Sequence, residues 1–324
     1  MKTLIQHAER AALSRELPSR EMILRLLAID SESGEADQLG AAARRVAAAV
    51  TGDLGRVWAS IGVDYKPCKM NCRFCSFGEA WGAVQTPYSL SNEEILTYAA
   101  QFVKSGADWI TLRTTEDYGF EQLTDLAKQI RAEIPGNYRL VANTGEMNAT
   151  RARELWEAGF EIIYHAIRLR EGIDTPFSIE EREKTLEIIS RSPLDLACLV
   201  EPLGPEHTDE EIADTLLLGL KHNAKLSGVM TRVPVPGSPL YDLGHVSERR
   251  LAQVIAVTRL AAGYRAPDIC VHLPSRTALE WGANVMVVDI GAIPRATGVS
   301  IEEWNDFDVR TARNWFNDAG YAVS

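Results

Sequence analysis

The chain has 324 residues, 46% of them hydrophobic and 24% charged, the balance of an ordinary globular protein. A net charge of −11 repels nucleic-acid phosphates and suits work on small molecules. The N-terminus is charged every few residues and no run is long enough to span a bilayer, so the expectation is a cytoplasmic protein that touches neither membrane nor nucleic acid.

Residues 1–54 read as a helical extension, with an amphipathic stretch from Arg20 and the Ala-rich run AAARRVAAAV. A β-prone run, RVWASIGV, then ends just before a cysteine-bearing loop. Ser91-Asn-Glu-Glu94 has the form of a capping box, and the helix it opens stops near Gly106. From there the pattern alternates. ADWITL, YRLVAN, EIIYHA, LDLACLV, LSGVMTRV, PDICVHL and NVMVVDI are apolar runs of strand length, separated by helical stretches. Ser178, Thr208 and Ser247 are further helix-start signals.

Strands alternating with helices imply right-handed βαβ units and a parallel sheet. Eight strands predict a (β/α)8 TIM-type barrel over residues 55–292, with 293–324 as a tail packed on it; an open or partial barrel is the alternative. In such barrels the chemistry sits in loops after the strands' C-terminal ends. The unusual residues fall there: three cysteines after the first strand, Thr114–Asp117 after the second, Asn143–Glu146 after the third, Arg168–Glu171 after the fourth, and His272 at the end of the seventh.

Five cysteines stand at 68, 72, 75, 198 and 270, an odd number with a tight trio. That pattern fits a reducing compartment and metal ligation better than disulfides. Thiolates select iron–sulfur clusters, zinc or copper(I). A structural zinc site or a ferredoxin-type cluster needs a fourth ligand nearby; the next cysteine is Cys198, and no histidine lies between His7 and His165. Three ligands on a 4Fe–4S cluster leave one iron open. The residues alone keep a zinc loop or a chance triplet as alternatives.

The segment KP-Cys68-KMN-Cys72-RF-Cys75-SFG has the C-x3-C-x2-C form, with Phe74 before the last cysteine, and resembles the signature of the radical S-adenosylmethionine (SAM) superfamily. The resemblance implies a 4Fe–4S cluster on Cys68, Cys72 and Cys75 whose open iron chelates SAM. It also implies reductive cleavage of SAM to a 5′-deoxyadenosyl radical and hydrogen abstraction from a small molecule, with ferredoxin or flavodoxin as electron donor. Residues 55 to 290 resemble the biotin synthase-like branch, which includes the FeFe-hydrogenase maturase and methylornithine synthase. Thr115-Glu116 stands where that branch has Gly-Gly-Glu, a turn receiving the methionine amino group. The segment YHAIRLREGIDT matches the part supplying polar groups to SAM and substrate, with Glu171 and Asp174 as candidates. Arg182 matches an arginine that reaches the SAM carboxylate.

The chain departs from biotin synthase itself, which holds a second cluster on three further cysteines and an arginine. Here the second and third strands have no cysteine, and His272 stands at the arginine position. Cys198, Cys270 and His272 are either an accessory metal centre or, more simply, two core thiols and a polar substrate contact. Arg168 and Arg170, read as strand residues sharing a face, are candidates for gripping an anionic substrate, as is Arg232. His165 reads as a core histidine. Sulfur insertion of the lipoyl synthase type, and an iron–sulfur scaffold without SAM chemistry, are the alternative functions.

Overall fold

The computed structural model describes residues 1–291 and 307–323, with the backbone of 293–295 and 298–300. Eight strands run parallel: β1 (Leu54–Gly62), β2 (Trp109–Arg113), β3 (Arg139–Asn143), β4 (Phe160–Tyr164), β5 (Asp195–Ala197 and Val200–Leu203), β6 (Leu226–Thr231), β7 (Asp268–His272) and β8 (Val285–Gly291). Each pairs with the next, and β8 pairs with β1 from Arg56–Val285 to Gly62–Gly291, so the sheet closes on itself. The expected barrel is the observed one. The fifth strand differs from its expected run: it breaks at Cys198-Leu199 and extends to Leu203, and Pro202 in its second half brings no N–H to the ladder.

Helices α4 (Asn92–Ser105), α5 (Phe120–Glu133), α6 (Ala149–Glu157), α7 (Ile179–Ser190), α8 (Asp209–Lys221), α9 (Glu248–Ala262) and α10 (Arg276–Glu280) return the chain between strands. Their starts follow from local chemistry. Ser91 and Thr208 form complete capping boxes with Glu94 and Glu211, and the Ser178 and Ser247 hydroxyls accept from the backbone three residues on.

Ahead of the barrel come α1 (Lys2–Ser14), α2 (Arg20–Leu27) and α3 (Gly34–Thr51). They lie against α8 and α9, where the buried Gln253 donates to the carbonyls of Leu27 and Ile29 at 3.0 and 2.6 Å. Beyond β8, α11 (Val309–Asp318) packs on β1. The Phe316 ring sits where a Cβ on Gly55 would be, 2.5 Å away. Of the expected C-terminal tail, residues 296, 297, 301–306 and 324 lie outside the described residues, as does residue 292 at the end of the expected barrel. Among the described residues, no helix is long and apolar enough to cross a membrane.

The lower lumen is solid. Trp58, Trp109, Val141, Ile162, Leu199, Leu226, Cys270 and Val285 fill it from successive strands, as side-chain layers fill such barrels. Trp58 meets Trp109 and Tyr164 edge-on, with ring centroids 5.9 and 5.7 Å away, and its indole N–H donates to the Thr111 hydroxyl. Above this aromatic floor the lumen opens into a cavity at the strands' C-terminal ends.

Candidate active site

The short antiparallel pair Asp64–Tyr65 with Tyr88–Ser89 closes residues 66–87 into a loop beside that cavity. Within it, the Cys68 N–H donates to the Phe77 carbonyl at 2.6 Å and the Cys75 N–H to the Cys72 carbonyl at 2.8 Å, so the segment winds tightly around its three sulfurs. Asn71 takes the left-handed turn position, which asparagine tolerates well. The Trp81 indole donates to the Cys75 carbonyl at 2.8 Å, and its ring occupies the space a Cβ on Gly78 would need. Trp81 thus packs the loop rather than covering the cavity, and Tyr118 packs against the core. Asp174, 1% exposed, ties the loop to the opposite side through its carbonyl and carboxylate, both 2.8 Å from Arg73.

Cys68, Cys72 and Cys75 all line the cavity. Burial pushes the Cys72 thiol up to about 12 despite Arg168 nearby. It also raises Cys75, against the pull of the Phe77 N–H, Arg168 and Arg113. Thiols this reluctant to ionise alone are deprotonated by a coordinated metal. Three thiolates on one loop are the donor set of an iron–sulfur cube with one iron left open, whereas a structural zinc takes four ligands. Among the described residues, Asp174, Glu206 and His207 are the one group of three ligand-type side chains whose donor atoms all lie within 4.8 Å. The Asp174 group has its charge met by Arg73, Arg170 and Arg232.

The cavity measures about 290 Å³, and one wall is built from the loops after β1–β4. Phe74, Thr115, Glu116, Arg168 and Arg182 line it. The Thr115 N–H and hydroxyl are both spent on the buried Asp64, at 2.8 and 2.5 Å, which pins the turn that presents Glu116. Burial pushes Glu116 up, with Arg182 and Arg168 opposing. Arg182 comes from the first turn of α7, is 5% exposed, and lies over the Phe177 ring at 4.4 Å. It is held between Glu146 and Glu171 at 3.3 Å each. Its Nε, 3.3 Å from Glu171, and the Arg168 Nη1, 3.9 Å from the same carboxylate, are buried and ion-paired but make no hydrogen bond.

Glu171 and Asp174 do not line the cavity; they brace it from behind. Glu171 accepts from the Arg168 N–H at 2.8 Å and from the Thr175 hydroxyl. Arg168 and Arg170 are not strand neighbours on one face, because β4 ends at Tyr164 and Arg170 sits in a left-handed turn. Arg168 reaches the cavity, whereas Arg170 pairs with Asp174 at 3.5 Å. His165 is buried with Nε2 3.6 Å from Glu146 and no hydrogen bond; burial, then Arg182 and Arg168, keep it neutral.

The facing wall comes from β5–β8. Arg232 lines the cavity but is held by Glu206 and by the Gly244 carbonyl at 3.0 Å. The His272 Nε2 lies 2.7 Å from Asp289. Burial alone would raise Asp289, but His272, Arg113 and the Ser60 hydroxyl hold it at about 2. Glu201, 3% exposed, is pushed by burial to about 8. No accessory centre forms from Cys198, Cys270 and His272. Cys198 faces α8, where a Cβ on Gly219 would meet its sulfur at 3.1 Å, while Cys270 lies in the lumen on the far side of the wall. Both are core thiols.

Sequence reasoning put Glu146 at the site without a role and missed Arg113, Glu201 and Asp289. The available signal was an ionisable residue inside an apolar strand run, as in ITLR, LVEP and VVDI.

The radical SAM superfamily model matches residues 65–219, the segment carrying the cysteine loop and the first wall. Biotin synthase from Persephonella marina is 24% identical over 80% of this chain and 79% of its own length. That from Magnetococcus marinus is 28% identical over 77% and 79%. Across such matches the chain spans 60% to 79% of the relatives' length. Methylornithine synthase has the same fold, with a TM-score of 0.79 and 18% identity, over 98% of this chain and 97% of its own. The FeFe-hydrogenase maturase HydG superposes at 0.83 with 14% identity, over 100% and 76%. The chain carries a radical SAM domain over residues 65–219 and is similar to biotin synthases, which marks it as an enzyme of a kind that uses a 4Fe–4S cluster and S-adenosylmethionine as cofactors.

Proposed function

We propose that this enzyme cleaves SAM reductively at a cluster on Cys68, Cys72 and Cys75 and abstracts hydrogen from a small molecule held in the barrel. When bound, the cluster supplies the electron that splits the sulfonium and releases the 5′-deoxyadenosyl radical. The chain's own residues do the rest. Arg182 and Arg168 line the cavity and offer their guanidinium groups to the methionine carboxylate, and that pair of cations beside three thiols is the observation that carries the reading. Glu116 takes the methionine ammonium, on a turn fixed by Asp64 and Thr115. Glu146, Glu171 and Thr175 hold Arg182 and Arg168 in place, and Phe74 lines the cavity beside the three cysteines that would hold the cluster. The packed aromatic floor below and the walls around keep water from a reactive carbon.

The electron comes from ferredoxin or flavodoxin. Five unpaired cysteines support a reducing compartment, such as the cytoplasm. Arg232 and His272 lie on the wall that faces the substrate, and Asp174 and Arg170 act on the site through the cysteine loop.

The test is anaerobic reconstitution followed by incubation with SAM and dithionite. Wild type forms 5′-deoxyadenosine; Cys72→Ala keeps its fold and forms none. Arg182→Met weakens SAM binding about 10- to 100-fold, the worth of charge-assisted hydrogen bonds to a carboxylate. Nucleoside formation by the cysteine variant, or undiminished SAM affinity in the arginine variant, refutes the assignment.

A further inference from the structure

The wall opposite the cysteines contains one polar group that the foregoing chemistry leaves idle. Glu201 stands in the second half of β5, is 3% exposed, and faces the cavity. Its Oε2 is buried and accepts no hydrogen bond. Among the described residues, the one cation within 4 Å of its carboxylate is Arg168, 3.7 Å from the other oxygen, and Arg168 already serves Glu171.

The neighbours do not relieve it. Asp289 lines the same cavity as Glu201. Asp289 has its counter-charges in His272 and Arg113. Arg232 is turned away to Glu206 and Gly244. The sub-pocket thus holds an acidic group with two unused lone pairs and no dedicated cation.

We propose that Glu201 receives the ammonium group of an amine substrate, its Oε2 accepting from the N–H donors. The inference rests on the SAM-cleavage reading above and names the substrate class of that same cavity. An incoming ammonium brings both the charge and the donors the carboxylate lacks, and a dry cavity magnifies their attraction. An alcohol supplies one donor and no charge. A carboxylate brings no donor for Oε2 and meets the ionised Asp289. Burial, which holds Glu201 protonated near neutral pH, is offset once a cation arrives; the ionisable groups around it are Arg168, Cys270 and Asp289.

The experiment is calorimetry on reconstituted, SAM-loaded protein with butylamine, 1-butanol and butyrate as probes. SAM fills the methionine subsite, so the probes report on the remaining cavity. We expect butylamine to bind about 10- to 100-fold more tightly than butanol, butyrate to bind no more tightly than butanol, and Glu201→Gln to abolish the preference while leaving SAM affinity unchanged. Equal affinity for amine and alcohol, or a preference that survives in the variant, overturns the proposal. So does a loss of SAM affinity in Glu201→Gln, which assigns the oxygen to the nucleoside. Infrared spectroscopy of the wild type gives an answer independent of the variant's folding: the carbonyl stretch of a protonated carboxylic acid disappears on adding butylamine, and its persistence sinks the idea. Should SAM not bind at all, the SAM reading fails by itself, and the same titration without SAM still reports on Glu201.

Discussion

A carboxyl group held protonated inside an apolar strand leaves a mark on stability. Folding raises Glu201 from its ordinary value of 4.5 to about 8 by burial. Below pH 4.5 the folded and unfolded chains both carry the proton, and the group has no effect. As pH rises from there toward 8 the unfolded chain ionises while the folded one resists, so stability is lost across that window and levels off above it. Glu201→Gln removes the titration. We expect the variant to match wild type near pH 5 and exceed it at pH 8 by several kcal/mol, on the order of 3. Urea unfolding at the two pH values measures this, and parallel stability curves would refute the burial argument. Glu201 also shows why part of the site was hidden in the sequence. The cysteines were legible because three ligands within eight positions are a local pattern. Glu201 and Asp289 look like single polar residues in strands, and only barrel closure shows that both point inward.

At the scale of elements, alternation and capping residues located all eight strands and most helices, because each signal acts within a few residues. The misread stretch was 165–170. An apolar run reads as a continuing strand, yet the chain turns after Tyr164, and the Leu169 N–H bonds the Glu201 carbonyl at 2.7 Å instead of extending the ladder. That turn separates Arg168 from Arg170. Another element-scale demand falls on Gly228, which pairs with Cys270 across β6 and β7 at φ 146°. A Cβ there would sit 2.1 Å from the Cys270 carbonyl oxygen. Gly228→Ala must open the wall between these strands, at about 2–5 kcal/mol from overpacking and a backbone conformation that alanine resists. Thermal unfolding checks this, and an unchanged midpoint would show that the wall yields without cost.

For the molecule as a whole, the barrel does the assembling. Residues up to about 220 positions apart in sequence meet around one cavity: the thiols, Glu116, Arg168 and Arg182 on one wall, Glu201, Arg232, His272 and Asp289 on the other. The lower lumen is packed shut, and at the N-terminal ends of β7 and β8 the fully buried Arg259 donates to the Gly282 and Pro267 carbonyls and to Asn284 at 2.6–2.8 Å. Access is through the cysteine end, where the three thiols line the cavity. The fold class was readable from the sequence because strand order follows chain order. The division of labour between walls was not, because it depends on which side of each strand faces in.

The most direct measurement is electron paramagnetic resonance of the reduced, reconstituted protein before and after SAM is added. A cluster held by three thiolates gives one 4Fe–4S signal per chain, whose g-values shift as the nucleotide's amino and carboxylate groups take the free iron. A signal indifferent to SAM, or protein that takes up zinc in place of iron, would contradict the account.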